Sequence, residues 1–378
     1  MRKTVCEKDK CTGCKACIDT CAKEALTFED AINTMNVLID ESKCMNCSAC
    51  QNVCQVNHPV ALAQPIFWKQ GWAEETVRRS SSSGGFATQL MNSFIEDDNS
   101  YICSCVFSKG KFKYYITNDS NDVKLYKGSK YVKSDPQGIY KEVKALLKQG
   151  KRVLFIGLPC HVAAVKRFLG DRGDEKLYTV DLICHGSPSQ KIIKSFLTEH
   201  KYDIEKVQDV RFRIKNTFNI ILDAKSITPI GSLDRYMIVF LKGLFYTEKC
   251  YSCDFARLER CSDITIGDSW GSEFVAEEKN GISIALCQTA KGKELLLQSG
   301  LELMDVDINR AVDANHQLHH PSERISERAR FFDEYRRTGS VDKAVFSCFP
   351  KVCLKQGLKQ ILLKLHIIRR GAPSDSCP

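Results

Sequence analysis

Long apolar runs are missing from this chain of 378 residues, and so is an apolar N-terminal export signal. No stretch approaches the ~20 apolar residues that a membrane-spanning helix needs, and residues 1–7 lack the apolar centre of a signal peptide. The net charge of +9 is spread over many lysines and accompanies no DNA- or RNA-binding motif. Such charge aids solubility or attracts an acidic electron donor. These absences predict a cytoplasmic protein that binds no nucleic acid.

Cysteine, in contrast, is abundant, with 20 in the chain. Eight of them form two copies of the spacing C-x2-C-x2-C-x3-C. The first copy comprises Cys11, Cys14, Cys17 and Cys21, and the second comprises Cys44, Cys47, Cys50 and Cys54. This spacing is typical of bacterial ferredoxins with two 4Fe–4S clusters. Zinc sites prefer separate C-x2-C pairs and disulfides need an oxidising compartment, so both fit the pattern less well.

The two cysteine runs are expected to share their ligands. In two-cluster ferredoxins the fourth cysteine of each run binds the other cluster, which assigns Cys54 to the first cluster and Cys21 to the second. Gly13 supplies a small residue that lets backbone N–H groups turn toward sulfur, and Ser48 and Ala49 hold the comparable stretch of the second run. We therefore predict an α+β ferredoxin-like domain with two 4Fe–4S clusters over residues 1–62.

The rest of the chain has the pattern of an α/β body. Residues 151–160 form an apolar strand that ends in a tight loop, and residues 177–186 repeat this arrangement. A helical pattern over residues 161–169 lies between them, which favours parallel strands joined by a helix. We expect a mixed or mostly parallel sheet in a body with regions 65–150 and 151–345. Further patterns predict helices over 139–148 and 321–337 and a strand over 282–288.

A loop rich in serine and glycine precedes another predicted helix. The loop comprises residues 80–85, and apolar side chains recur at helical spacing over residues 86–94. A helix N-terminus that follows such a loop suits a phosphate or pyrophosphate group. The alternative is a flexible linker, and the loop by itself favours neither.

The tail, residues 346–378, contains a basic amphipathic segment. Between Lys351 and Arg370 one helical face carries Leu354, Leu358, Ile361, Leu362, Leu365 and Ile368, while lysines and arginines crowd the other positions. Such a helix can lie on an anionic membrane surface, which would make the protein peripheral at the inner membrane. Alternatively, its apolar face packs on the body or on a second subunit, and this packing is the favoured expectation.

Four cysteines outside the two runs form a candidate third site. Cys160 and Cys184 lie at the ends of two predicted strands, and Cys250 and Cys253 form a C-x2-C pair. Binding sites in such sheets lie beyond the carboxyl ends of the strands. The alternatives are buried free cysteines, or a zinc site based on Cys250 and Cys253, and Cys261 is a competing ligand.

Several ordered motifs resemble the beta-subunit family of coenzyme F420 hydrogenase and dehydrogenase, over about residues 65–340. The likeness is greatest to the bacterial branch that carries an N-terminal two-cluster ferredoxin domain. The motifs are Ser82-Ser83-Gly84-Gly85-Phe86, Gly128–Val132, Phe155–His161, Asp181–Gly186, Cys250–Cys253 and Asp263–Gly271. This chain departs from the family pattern at Leu158 and His161, where threonine and glutamine are usual, so a substrate cannot be transferred from a relative.

The resemblance implies an FAD-bearing iron–sulfur oxidoreductase. It implies an inner 4Fe–4S cluster whose ligands would be Cys160, Cys184, Cys250 and Cys253. It also implies flavin contacts from two segments, whose candidate residues are Ser82, Ser83, Gly84, Gly85, Lys130 and Tyr131. A lysine there would stabilise negative charge on a phosphate or on reduced flavin, whereas the alternative for Lys130 is an ordinary exposed lysine.

These implied cofactors predict electron flow from reduced ferredoxin, or a similar low-potential donor, through the clusters to FAD and an organic substrate. The first hypothesis is a self-contained reductase, with a substrate such as a sugar or a cell-envelope precursor. The second is an electron-transfer subunit that docks on a separate catalytic partner, in the manner of the hydrogenase relatives that reduce coenzyme F420. A homo-oligomer is compatible with both.

Three residues are candidate catalytic groups. His161 and His185 follow two of the implied cluster ligands, and histidine is suited to proton transfer. Either histidine can instead hydrogen-bond a cluster sulfide and tune its potential, which is the favoured role. Asp268 can bind ribose, cap a turn or act as an acid.

Overall fold

The computed structural model describes residues 3–170 and 175–368. Residues 369–378 of the predicted tail therefore lie outside the described part of the chain. Among the described residues, no helix combines the length and the apolar character needed to cross a membrane. The described elements form a small N-terminal region, a large sheet covered by helices, and a second sheet of three strands.

The N-terminal region consists of one β-hairpin and two short helices. Its antiparallel strands pair Leu26 with Ile39 and Asp30 with Met35. Each helix begins one residue before the third cysteine of a run, directly after a residue in the left-handed conformation. The elements are α1 (Ala16–Thr20), β1 (Leu26–Asp30), β2 (Met35–Ile39) and α2 (Ala49–Asn52).

The body is built on a mixed sheet of eight strands in the order β13-β3-β12-β11-β7-β6-β4-β5. The strands are β3 (Phe67–Trp72), β4 (Ser100–Ser108), β5 (Lys111–Thr117), β6 (Arg152–Gly157), β7 (Leu177–Leu182), β8 (Val210–Ile214), β9 (Thr217–Leu222), β10 (Lys225–Ser226), β11 (Ile264–Asp268), β12 (Ser283–Cys287) and β13 (Glu302–Met304). The pairs β11–β7, β7–β6 and β6–β4 are parallel, and the outer pairs are antiparallel. This confirms the predicted α/β body with a mixed sheet, whose strands come from both region 65–150 and region 151–345.

The predicted helices over residues 86–94, 139–148 and 161–169 are confirmed, the one over 321–337 is confirmed only in part, and several further helices were not predicted. The helices of the body are α3 (Glu75–Ser80), α4 (Phe86–Phe94), α5 (Val123–Tyr126), α6 (Ile139–Lys148), α7 (Pro159–Leu169), α8 (Gln190–Glu199), α9 (Arg235–Leu241), α10 (Ala290–Leu297), α11 (Ile308–Asp313), α12 (Arg328–Thr338), α13 (Val341–Cys348) and α14 (Pro350–Lys364). The prediction of a helix over 321–337 is wrong for residues 321–327. There, Ser322 bonds to the His185 carbonyl and Arg324 pairs with Glu248, so tertiary contacts override the local pattern.

The central parallel strands position the candidate third site. Residues 153–157 of β6 are all buried, which explains the continuous apolar run, because parallel strands are covered on both faces. Gly157 at the end of β6 pairs with Asp181 near the end of β7. Pro159, whose fixed φ suits the first turn of a helix, then starts α7. Cys160 and Cys184 therefore follow neighbouring strands at the same sheet edge.

The tail helix α14 contradicts one expectation. Four of the six residues of the predicted apolar face, Leu354, Leu358, Ile361 and Leu365, are each more than half exposed, from 55% at Ile361 to 64% at Leu354, and the other two, Leu362 and Ile368, are half-buried. The expectation that this face packs on the body of the same chain is therefore wrong. The helix contacts the body through other residues, among which Cys353 and Leu363 are buried.

Candidate functional site

The two N-terminal cysteine runs have the same local geometry. Gly13 and Asn46 occupy equivalent positions, and both have a left-handed backbone, with φ of 74° and 55°. Their N–H groups donate to Cys11 Sγ and Cys44 Sγ, each at 3.4 Å. The backbone thus turns toward sulfur as expected, but the residue equivalent to Gly13 is Asn46. The expectation that Ser48 and Ala49 hold the stretch comparable to Gly13 is therefore wrong, because the equivalent residue is Asn46, two positions before Ser48.

The fourth cysteine of each run lies beside cysteines of the other run, as the predicted exchange of ligands requires. Burial, followed by charge on Cys11 and then Cys54, raises the pKa of Cys14 to about 12. Burial also raises the pKa of Cys50, with smaller contributions from Cys21 and Cys44. Cys54 therefore lies with the first run, and Cys21 lies with the second. This donor set of two groups of four thiols suits two 4Fe–4S clusters.

We call the group of Cys11, Cys14, Cys17 and Cys54 the first site, and the group of Cys44, Cys47, Cys50 and Cys21 the second site. All four thiols of the first site are buried, whereas in the second site Cys47 is exposed and the other three are half-buried. Cys6, which sequence reasoning missed, also lies at the first site: hydrogen bonds with Cys11 and Cys54 raise the pKa of its thiol.

The first site is buried because it is docked on the body. Tyr140 Oη of α6 donates to the Cys14 carbonyl at 2.9 Å. Lys15 Nζ pairs with Asp135 at 2.7 Å, and the Asp19 carboxylate accepts from the Gly138 N–H at 2.8 Å. These contacts hold α1 against the body, so the first site faces the interior and the second faces solvent.

The four cysteines of the candidate third site come together around one buried lysine. Lys133 is 6% exposed, and its Nζ lies 3.9 Å from Cys160 Sγ. Burial lowers the pKa of Lys133, but charge on Cys160, Cys250, Cys184 and Cys253 outweighs this and raises the pKa above its usual value. The structure therefore brings all four predicted cysteines into one group, which we call the inner site.

The donor chemistry of the inner site suits a 4Fe–4S cluster. It offers four thiols, and Lys133 supplies a positive charge beside them. The competing ligand Cys261 has other neighbours, Asp181, Lys166 and Arg260. Among the described residues, no three His, Cys, Asp or Glu side chains are arranged to hold a single metal ion.

Lys133 also connects the inner site to the first site. A Cβ atom built on Gly13 would lie 3.9 Å from Lys133 Cδ. The aliphatic part of the side chain thus passes beside the turn between Cys11 and Cys14, while its ammonium reaches Cys160. Sequence reasoning missed this residue, because its only signal is its place directly after the motif Gly128–Val132.

A cavity of about 670 Å³ lies beside the inner site. Cys184 and His185 line it, and so do five of the six predicted flavin contacts: Ser82, Ser83, Gly85, Lys130 and Tyr131. Gly84 is not among the lining residues, because its N–H donates to Ser283 Oγ and an added Cβ would lie 2.6 Å from the Gly71 carbonyl oxygen. Gly84 therefore allows close packing of the loop on β3 and β12.

The two predicted flavin-contact segments meet in this cavity. Ser82 Oγ accepts from the Ser129 N–H at 3.0 Å, and Lys127 Nζ donates to Ser80 Oγ at 2.8 Å. Lys130 Nζ donates to the carbonyls of Tyr126 and Lys127, and burial lowers its pKa to about 8. The N-terminus of α4 lies at the same wall. Hydroxyls, a helix N-terminus and half-buried lysines suit a pyrophosphate, and the volume lies in the range of cofactor pockets.

The three candidate catalytic residues have different surroundings. His161 is fully buried, does not line the cavity, and shares a hydrogen bond of 2.9 Å between Nδ1 and Tyr114 Oη. His185 lines the cavity, and burial, followed by charge on His316, lowers its pKa to about 4. Asp268 also lines the cavity, but Arg213 holds its carboxylate through contacts of 2.6 and 3.0 Å.

Two family models match the chain. Residues 150–304 match the model for the C-terminal part of the coenzyme F420 hydrogenase/dehydrogenase beta subunit, and residues 10–58 match a 4Fe–4S dicluster domain. Both matches lie within the regions where the motifs predicted them. No curated protein sequence matches the chain. Among solved structures, a chain of the F420-reducing NiFe hydrogenase complex from Methanosarcina barkeri is similar at 18% identity and a TM-score of 0.49, over 72% of this chain and 94% of that one.

Proposed function

We propose that the chain is the electron-transfer subunit of a larger redox enzyme, because residues 150–304 match the C-terminal part of the coenzyme F420 hydrogenase/dehydrogenase beta subunit and residues 10–58 match a 4Fe–4S dicluster domain. In this proposal it exchanges electrons with a low-potential partner protein at the second site and delivers them to a flavin, FAD, held in the cavity. The family match favours this role over a self-contained reductase for a sugar or a cell-envelope precursor. An organic acceptor, such as coenzyme F420, would meet the flavin at the open part of the cavity.

The observation that carries the proposal is the order in which the sites lie. The second site is exposed, the first site is buried against the body, and Lys133 contacts both the first-site turn at Gly13 and the inner cysteine Cys160. Cys184 belongs to the inner site and also lines the cavity. The four sites therefore form a continuous series from solvent to the cavity.

Iron–sulfur clusters, when bound, carry single electrons at low potential, and a flavin, when bound, combines them in pairs. The residues of this chain would hold and insulate these groups. Tyr140 and the Lys15–Asp135 pair would hold the first site against the body and away from water. The Lys133 ammonium offsets part of the negative charge of the inner thiolates, which favours the reduced state of that site.

At the cavity, the side chains would bind the cofactor and fix its position. Ser82, Lys127 and Lys130 line the wall that would receive the pyrophosphate. Arg213, 4% exposed and paired with Asp268, provides a fixed positive charge at another part of the wall. Because this pair uses the Asp268 carboxylate, we assign Asp268 to positioning. We assign His161 to support of the inner site, since it lies outside the cavity lining.

The test is anaerobic purification of the full chain, with iron, acid-labile sulfide and released flavin measured on one sample. We expect about twelve irons and about one FAD per chain. Cys184→Ser should remove about four irons, while Cys261→Ser, a matched control outside the inner site, should keep them. About eight irons without flavin would overturn the inner site and the flavin assignment together.

The subunit role has its own test. Affinity purification under anaerobic conditions should recover a stoichiometric partner protein that is required for turnover. A chain that reduces an organic substrate with reduced ferredoxin and no partner would overturn this role in favour of the self-contained reductase.

A further inference from the structure

The tail helix α14 is fixed to the body by one face only. Cys353 and Leu363 are buried on that face. Gln356 Oε1 accepts from the Leu233 N–H, and Gln360 Nε2 donates to the Leu233 carbonyl, both at 3.0 Å. Contacts within the chain therefore set the rotation of α14 about its axis. This rotation determines which of its side chains face solvent.

The opposite face of α14 presents a stripe of large apolar residues to solvent. Leu354, Leu358, Ile361 and Leu365 follow the spacing of one helical face, and their exposed fractions are 64%, 59%, 55% and 62%. Ile367, just beyond the helix, is 65% exposed. Contiguous exposed apolar residues of this kind mark an interaction surface.

The charged residues of α14 itself are all of one sign. Lys351, Lys355, Lys359 and Lys364 lie on the helix, and residues 350–368 contain no aspartate or glutamate. Two copies of this face brought together would bring their lysines together, which opposes self-association. An anionic lipid surface, in contrast, offers acyl chains to the stripe and negative headgroups to the lysines.

We infer that α14 binds the surface of an anionic membrane. The helix lies parallel to the bilayer, with the leucine and isoleucine stripe inserted among the lipid chains and the lysines at the headgroups. The body stays on the face of α14 that points away from the membrane, and Gln356 and Gln360 attach it there. This attachment is independent of the proposed electron path, because none of these residues belongs to the cysteine sites or the cavity.

The experiment is flotation of the full-length protein with vesicles of phosphatidylcholine, with or without phosphatidylglycerol. We expect the wild-type chain to float with the anionic vesicles and to remain unbound with the neutral ones. The triple variant Leu354→Ser, Leu358→Ser, Ile361→Ser and the triple variant Lys351→Gln, Lys355→Gln, Lys359→Gln should each bind at least about tenfold more weakly. Val275→Ser, which replaces a residue that is 70% exposed elsewhere, is the matched control and should bind like the wild type.

Three results would overturn this inference. Equal flotation with neutral vesicles, or flotation unaffected by both triple variants, would show that α14 is not an anionic-lipid site. A dimer in light scattering that the leucine variant abolishes, together with no flotation, would identify the stripe as an interface between copies of the chain. Unchanged iron content and circular dichroism establish that the variants remain folded.

Discussion

The first and second sites have the same cysteine spacing but opposite surroundings. Both use a left-handed residue and an N–H donor to sulfur at 3.4 Å. Yet the thiols of the first site are buried, while Cys47 of the second is exposed. The difference arises from the body, which docks on α1 through Tyr140, Asp135 and Gly138. Helix α2, in contrast, is bonded to the body at its end, where Arg167 donates to the Asn52 carbonyl. Identical motifs can therefore hold one cluster for internal transfer and another for exchange with a partner.

Loss of one ligand in each site gives the largest expected difference. Cys14→Ser and Cys47→Ser should each remove about four irons. Cys14→Ser should lower the free energy of unfolding by about 1–3 kcal/mol more than Cys47→Ser, because the change at Cys14 places a polar hydroxyl where a buried thiol packs in the core. Iron analysis and chemical denaturation check this, with Cys103→Ser as a buried control outside the sites. Equal destabilisation by both variants would contradict the contrast in burial.

Substitution of the equivalent turn residues should give the next largest difference. At Gly13, with φ of 74°, an alanine Cβ would lie 2.5 Å from Met35 Sδ, so Gly13→Ala should cost about 2 kcal/mol. Asn46→Ala should cost less than about 1 kcal/mol, because Asn46 is exposed and its side chain makes one long contact, of 3.8 Å from Cys44 Sγ to Asn46 Oδ1. Thermal unfolding of the two variants measures both. A larger cost at Asn46 would reverse the comparison.

Removal of the buried charge should alter the potential of the inner site. Lys133→Met keeps the length of the side chain but removes the ammonium beside Cys160. We expect the midpoint potential of the inner site to fall by about 60 mV, or ~1.4 kcal/mol for one electron, because the reduced state loses a stabilising charge. Potentiometric titration followed by EPR measures it, and Lys141→Met, at an exposed position of α6, is the control. An unchanged potential would contradict the role of Lys133.

Substitution of Lys15, which precedes α1, and of Ser48, which precedes α2, should give the smallest difference in the free energy of unfolding. Lys15→Ser removes the pair with Asp135 and the bond of 3.2 Å to Gln137. Because Asp135 is partly exposed, we expect a cost of about 1 kcal/mol. Ser48→Lys is the reciprocal change at the second site. It should alter the free energy of unfolding by less than about 0.5 kcal/mol. Denaturant unfolding that finds the two changes equal would show that the ion pair does not hold the docked site.

The eight N-terminal cysteine ligands could be predicted from sequence, because they depend on local spacing. The difference in burial between the first and second sites could not be predicted, because it depends on docking against the body. The pattern also predicted α6 and the strand β6, since their signals lie in consecutive residues. The position of Lys133 between two sites depends on how the N-terminal region docks on the body. The exposed stripe of α14 was also mispredicted, because Gln356 and Gln360 set the rotation of the helix. The place of Lys133 and the exposure of the stripe are both tertiary features, so the local sequence pattern does not determine them.

The large sheet also determines when the body can finish folding. Strand β3, formed by residues 67–72, lies between β12 and β13, and it pairs Gly71 with Ser283 and with Leu303. These partners are separated by more than half of the chain, and such distant contacts slow folding. During synthesis, β3 must wait for residue 304 before its neighbours exist, whereas the hairpin and cysteine runs of the N-terminal region are already complete. The N-terminal region is therefore the part of the chain that can fold first.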